Sequence, residues 1–149
     1  MVVNFPMFIG EFEYRVDEKG RVPFPPKFRT DELKKEGVVL CPGMEKCITV
    51  YPLSEWQKLA NSLPSGSIIP SKLRMLSRAI FATAVSVEID GQGRIMIPAR
   101  LRQYAGIGEE VVVIGVNTLI ELWAKENWVE EIRISQEEAR HIIDTLERR

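Results

Sequence analysis

The 149-residue sequence predicts an α+β fold in which two tandem β units pack as an intramolecular pseudo-dimer with helices at their flanks. Three observations carry that expectation. A long internal repeat spans most of the chain, apolar residues alternate on both sides of a repeated turn, and a proline ends each alternating run.

The repeat comes first because it divides the chain. Displaced by 73 positions, Phe12–Arg29 falls on Val85–Arg102, so that DEKGRVPFP at 17 coincides with DGQGRIMIP at 90. Val38–Leu40 then lies over Val111–Val113. After a loop one residue shorter in the second copy, CITVYPLSEW (47–56) lies over LIELWAKENW (119–128). The expected divisions are a first unit at 7–63, a linker with a bridging helix at 64–81, a second unit at 82–132 and a C-terminal helix at 133–149. PSGSIIPS (64–71) carries the turn-forming residues of a boundary.

Within each unit the elements follow in order. Phe12, Tyr14 and Val16, like Val85, Val87 and Ile89, share one face of an extended segment, the period of a half-buried strand. Asp-x-x-Gly follows as a tight turn. Its aspartate can accept hydrogen bonds from the backbone ahead, and its glycine tolerates positive φ. The return strand sends Val22 and Phe24, or Ile95 and Ile97, to the same core. Pro25 and Pro98 stop that strand and preset a helix, PKFRTDELKKEG or ARLRQYAG, which Gly37 or Gly106 caps. A hairpin and a Trp-bearing helix complete the unit, with Ser54 and Gln57 as a capping box opening the first such helix.

Two helices fall outside the repeat. SKLRMLSRAIF (71–81) places Leu73, Leu76 and Ile80 on one face. SQEEARHIIDTLERR (135–149) opens with a Ser135/Glu138 capping box and aligns Ala139, Ile142, Ile143 and Leu146. One strand–turn–strand–helix unit is too small to close a core. Two copies about a pseudo-two-fold axis can each cover the other's open edge.

The formal charge of −1 hides a gradient. Arg15–Arg29 holds five basic residues against two acidic, Lys72–Arg102 six against two, and Gln103 to the end ten acidic against five basic. Basic charge therefore gathers around both repeated turns, where it can steer an anion. Cys41 and Cys47 lack metal-ligand spacing and a redox CxxC, and read as structural thiols or as a disulfide or redox pair. The N-terminus MVVNFPMF has no basic start and no long apolar stretch, and no apolar run approaches a membrane span, so the expectation is a cytoplasmic protein.

Arg21 and Arg94 begin the return strands, facing outward near the turns, with Asp17 and Asp90 placed to orient them. Lys19 stands at the first tip and Gln92 at the second. Lys27 and Arg29, matched by Arg100 and Arg102, follow on the next element. Arginine's planar fork suits phosphates and guanine edges, and an adjacent carboxylate can hold it ready. The competing reading is an ordinary turn with a solvated arginine, which homologous halves would also share. Basic clustering at both copies favours nucleic acid.

MFIGEFEYRVDEKGRVPFPPKFR (7–29) and VSVEIDGQGRIMIPARLRQYAGI (85–107) resemble the paired signature blocks of the MraZ family. VLCPGMEKCITVYPLSEWQKL (39–59) and VVVIGVNTLIELWAKENW (111–128) resemble it too, in the family's order, and Met1–Pro6 precedes the usual start. The resemblance implies two AbrB-like swapped-hairpin units in a pseudo-dimer of the double-split β-barrel type. It also implies a nucleoid-associated bacterial transcription regulator of the division and cell-wall gene cluster. Such a regulator binds short direct repeats upstream of its own operon as a ring-shaped homo-oligomer. The family's Asp-x-x-x-Arg motif falls on Asp17/Arg21 and Asp90/Arg94. The candidate DNA-binding set is therefore Arg15, Asp17, Lys19, Arg21, Lys27, Arg29, Asp90, Gln92, Arg94, Arg100 and Arg102. Where the family more often has a small or hydroxylated residue, this chain has Pro23. Since proline cannot donate to a ladder, that strand should be an edge or bulged there.

Two other readings stand beside this one. Twin aspartates near a two-fold axis suggest an aspartic-protease pair, but an arginine at each turn would keep both ionised. His141 has no nucleophile near it in sequence and reads as a solvated surface residue. No phosphate loop or metal-ligand cluster is evident, so neither catalysis, a metal, a cofactor nor a small-molecule substrate is expected. The remaining alternative is a protein-binding module of the antitoxin-like swapped-hairpin type. The equivalent positions of Trp56 and Trp128 in the repeat argue for packing rather than a ligand site.

Overall fold

The computed structural model describes residues 7–148, so the expectation for Met1–Pro6 lies outside the described residues. The first unit forms strands β1 (Glu11–Arg15), β2 (Arg21–Pro23), β3 (Val38–Pro42) and β4 (Ile48–Pro52). Helix α1 (Asp31–Glu36) precedes β3, and α2 (Leu53–Ser62) follows β4. After α3 (Ser71–Phe81), the second unit repeats the order with β5 (Val85–Val87), β6 (Arg94–Met96), α4 (Ala99–Ala105), β7 (Glu110–Val116) and β8 (Leu119–Ala124). Helix α5 (Lys125–Glu147) ends the chain.

Each unit gives its first strand to the other. The six-stranded antiparallel sheet runs β1-β7-β8-β4-β3-β5, while β2 and β6 pair by themselves. Tyr14 lies opposite Val111, and its repeat equivalent Val87 lies opposite Val38. Two registers locate the pseudo-two-fold axis. In the ribbon Val22 faces its own equivalent Ile95, and in the sheet Thr49 faces its own equivalent Glu121.

Alternation along the sheet buries both faces. Val38, Leu40, Ile48, Val50, Val111, Val113, Ile120 and Leu122 enter one core with Val22 and Ile95 of the ribbon. Phe28 is its aromatic hub, meeting the Phe8 and Phe12 rings at 5.3 Å and Phe24 at 6.2 Å, all edge-on. Such pairs add about 0.5–1.5 kcal/mol each beyond area burial. On the opposite face, Tyr51 packs edge-on to Trp56 and Trp123 against Trp128, the same pairing in each unit.

Three local expectations are corrected. The segment after Pro25 is not one helix: a 3-10 turn at Pro26–Phe28 ends and α1 starts anew, because the Thr30 hydroxyl accepts the Leu33 N–H at 3.3 Å. Ser54 does not cap α2, which begins at Leu53 behind Pro52. The Ser54 N–H is instead met by the Glu32 carboxylate of the neighbouring helix at 3.2 Å. Ser135 does not open a terminal helix, since it sits inside the unbroken 23-residue α5. No glycine or proline interrupts Trp128–Ser135, and Arg133 pairs with both Glu130 and Glu137 across the expected junction. The boundary expected between 132 and 133 thus falls within a helix.

Pro23 sits where a proline can. Phe24 donates to Gly93 and Ile97 to Gly20, which fixes the hydrogen-bonded positions of the ribbon on either side of Pro23. Pro23 faces Arg94 at a non-bonded position of a strand that, among the described residues, pairs with β6 alone, so no ladder bond is lost.

Candidate nucleic-acid interface

The two repeated turns have the same geometry, atom for atom. Asp17 O accepts the Gly20 N–H at 3.0 Å, and Asp90 O accepts Gly93 at 2.9 Å. Asp17 Oδ1 accepts the backbone N–H groups of Lys19 and Arg21, both at 2.9 Å, while Oδ2 takes Arg21 Nε at 2.7 Å. Asp90 repeats this with Gln92 at 2.8 Å, Arg94 at 2.9 Å and Arg94 Nε at 3.0 Å. The backbone N–H of Arg21 is the chief cause that holds the Asp17 carboxyl below its ordinary range, with the guanidinium and Lys19 adding to it against partial burial. Arg94 does the same for Asp90. Both aspartates are therefore fixed anions, each committed to its own arginine rather than sharing a proton with the other.

This arrangement aims the arginines. Because Nε is tied to the carboxylate, the guanidinium plane is set and its two terminal nitrogens are left uncommitted. Among the described residues they make no hydrogen bond. The side chains stay 29% and 25% exposed.

Strand alternation then places both on one surface. Val22 and Ile95 point inward, so Arg21, Pro23, Arg94 and Met96 share the outer face of the ribbon. Arg21 lies diagonally from Arg94, and strand spacings put their Cα atoms about 8 Å apart. Sequence reasoning missed the half-exposed Met96 and Pro23 as the apolar floor between the arginines. The signal was available in the alternation that sends Val22 and Ile95 inward.

The other expected residues divide into two groups. Lys19 and Gln92 are exposed at the tips, and Lys27 and Arg100 are exposed beyond them. Arg100 donates to the Thr83 carbonyl at 3.3 Å, and Arg15 is exposed beside Glu109 at 3.2 Å. Arg29 and Arg102 are half-buried behind the turns, each supporting the turn of the other unit. Arg102 donates from Nε to Ile97 O at 3.0 Å and fills the space where a Gly20 Cβ would stand. Arg29 lies closer still over Gly93, and among the described residues its buried Nε has no hydrogen-bond partner. The exchange of units therefore builds each turn from both halves of the chain.

One group of potential metal ligands, Glu45, Cys47 and Glu121, converges elsewhere, beside the sheet's face under α5. Among the described residues no helix is long and apolar enough to cross a membrane.

A family model described as "MraZ protein, putative antitoxin-like" matches the chain twice, over residues 7–79 and 80–147. The chain is 55% identical over 142 residues to the Transcriptional regulator MraZ of Dehalococcoides mccartyi, covering 95% of this chain and 99% of that protein. It is 40% identical over 140 residues to the protein of that name from Thermomicrobium roseum, covering 94% and 97%. With the Acetivibrio thermocellus protein it shares 44% over 122 residues, 82% and 84% of the two chains. Two family matches in tandem, and relatives aligned along nearly the whole length, place this chain in the MraZ family.

Proposed function

We propose that this protein is a sequence-specific DNA-binding regulator of transcription that reads duplex DNA with the outer face of the β2–β6 ribbon. The observation that carries the reading is the pair of aspartate-held arginines on that one face. Relatives named transcriptional regulators support the biological role. The exchange of first strands between units supports assignment to the AbrB-like swapped-hairpin, double-split β-barrel type.

In this reading Arg21 and Arg94 supply the base-edge contacts. Their forks are pre-oriented, so less side-chain entropy is lost on binding than for free arginines. Lys19, Lys27, Arg15 and Arg100 supply phosphate contacts that set register and make affinity salt-dependent. Asp17, Asp90 and Gln92 shape the tips, and Arg29 and Arg102 hold the turns from behind while adding positive potential. One subunit offers few contacts. A ring of subunits on successive direct repeats upstream of the protein's own operon, in the division and cell-wall cluster, raises affinity through effective concentration. Its place of action is the cytoplasmic nucleoid.

The test is fluorescence anisotropy with a labelled duplex from upstream of the operon and a shuffled duplex, across a salt series, with light scattering for assembly size. Tight binding that weakens on shuffling and with salt is expected. Equal weak binding to both duplexes leaves only a basic surface, and no binding at low salt favours the protein-partner alternative.

A further inference from the structure

The equivalence of the two units breaks at three positions that meet in space. The first unit has Cys47 where the second has Leu119, Glu45 lies in the loop that is one residue longer in the first unit, and the second has Glu121 where the first has Thr49. The ligand atoms of Glu45, Cys47 and Glu121 all lie within 4.8 Å of one another. Glu45 and Glu121 border a cleft of about 290 Å³ whose walls include Trp123, Trp128 and Glu131, while Cys47 is buried in the apolar cluster with Val112, Ile114 and Trp123. None of these three residues belongs to the DNA-facing ribbon.

The surroundings hold the three groups in place. The turn between β3 and β4 is closed by Gly43 donating to Cys47 O at 2.8 Å and Cys47 donating to Glu45 O at 2.7 Å. Tyr104 Oη pins that turn by donating to Gly43 O at 2.6 Å. Trp123 Nε1 donates to Glu121 Oε1 at 3.0 Å, and among the described residues Oε2 has no hydrogen-bond partner and can meet a ligand. This is the outer support that orients a metal-binding carboxylate. Gly43 covers the thiol so closely that a Cβ there would come within 2.5 Å of Sγ.

Cys47 is the observation that separates this group from a chance cluster of acids. It is wholly buried, and among the described residues its sulfur makes no hydrogen bond, yet it lies toward two carboxylates. Burial, with Glu121 and Glu45 adding to it, pushes its thiol up to about 12. Burial also raises Glu121, with Glu45 and Glu131 adding to the effect, although the Trp123 hydrogen bond opposes it.

We propose that Glu45, Cys47 and Glu121 form a binding site for one borderline or soft divalent cation, zinc in the first instance, at the pseudo-two-fold axis of the sheet. A sulfur ligand selects against calcium and magnesium, which take oxygen. Zinc holds sulfur at about 2.3 Å and carboxylate oxygen at about 2.0–2.2 Å, so tetrahedral neighbours stand roughly 3.3–3.7 Å apart. Of the three, Glu45 is the exposed side chain and the one with room to move toward the others. Binding converts the Cys47 thiol to thiolate and releases its proton to solvent. Water, or the Glu131 carboxylate on α5, completes the fourth position. The ion ties the β3–β4 turn to β8 beneath α5, and the inference is independent of DNA binding.

Cadmium titration of the full chain tests it through the ultraviolet sulfur-to-cadmium charge-transfer absorption, with zinc added in competition. Wild type and Cys41→Ser are expected to show a band saturating at one ion per chain and displaced by zinc. Cys47→Ser should lose it, and Glu121→Gln should weaken binding roughly ten-fold or more. Circular dichroism checks that each variant folds. If Cys47→Ser does not fold, Glu121→Gln and Glu45→Gln decide. Wild-type affinity in both overturns the proposal. So does the absence of a band in wild type at saturating cadmium, or a band that depends on Cys41 rather than Cys47.

Discussion

The Arg29 guanidinium of the first unit occupies the space beside Gly93 of the second, where a Cβ would collide with it. Gly93 also has φ of +78°, so the turn requires glycine for two separate reasons. Gly93→Ala is expected to cost about 1–2 kcal/mol from backbone conformation alone, and more from displacing Arg29. Gly91→Ala, in the same turn with open space around it, should change stability by less than about 0.5 kcal/mol. Urea denaturation of both variants measures the difference. Equal midpoints would remove Arg29 as a support for the turn.

Arg21→Lys tests whether the fork, rather than the charge, is what the site provides. Lysine cannot pair with Asp17 through one nitrogen and present two more in a fixed plane. Specific binding should fall by about ten-fold or more, a loss on the 1–3 kcal/mol scale of one bidentate base contact. Binding to shuffled duplex should change little, because the positive charge remains. Competition with unlabelled specific and shuffled duplex separates the two effects.

Acid should weaken the turns at a defined point. Asp17 and Asp90 both have folded-state pKa values held below the ordinary carboxylate range. The stability they contribute is fully present above the unfolded value, near pH 4, and is lost as pH falls through the lower folded value. Denaturant midpoints between neutral pH and pH 2 should show a smaller decline for Asp17→Asn/Asp90→Asn than for wild type. Parallel declines would mean that other carboxylates govern acid unfolding.

Ser135 offers a direct test of the continuous helix. At an N-cap, Ser→Ala would cost about 1 kcal/mol. In a helix interior it should be neutral or stabilising by a few tenths of a kcal/mol. Hydrogen exchange of amides 136–146 should therefore slow or stay unchanged in Ser135→Ala, and faster exchange would restore the capping box.

Phe28→Ala should destabilise the protein by about 3–5 kcal/mol, since it removes a buried ring that three other rings face. Thermal unfolding measures it. A loss below about 1 kcal/mol would show that the two units do not depend on a common aromatic core.

Much of this architecture is legible in the order of residues alone. Alternation of Val22 and Phe24, or Ile95 and Ile97, reveals which face of each return strand is buried, and the repeated Asp-x-x-Gly-Arg locates both tips. The helix ends are less legible because they depend on competition between neighbours. Thr30 captures an N–H that a longer helix would have used, while Glu32 accepts the Ser54 N–H that the Gln57 side chain was expected to meet. Ser135 has the residues of a cap but no interruption before it. The Glu45–Cys47–Glu121 group is not legible at all, since its third member is brought by pairing of β4 with β8 across 74 positions from Cys47.

The most direct measurement of the central claim is anisotropy of specific and shuffled duplexes with wild type, Arg21→Ala, Arg94→Ala and the double variant, at matched salt and with folding checked by circular dichroism. Each single substitution should erode discrimination between the duplexes, and the double variant should bind both alike while remaining folded. A folded double variant that still prefers the specific duplex as strongly as wild type would contradict the assignment of sequence reading to the β2–β6 ribbon.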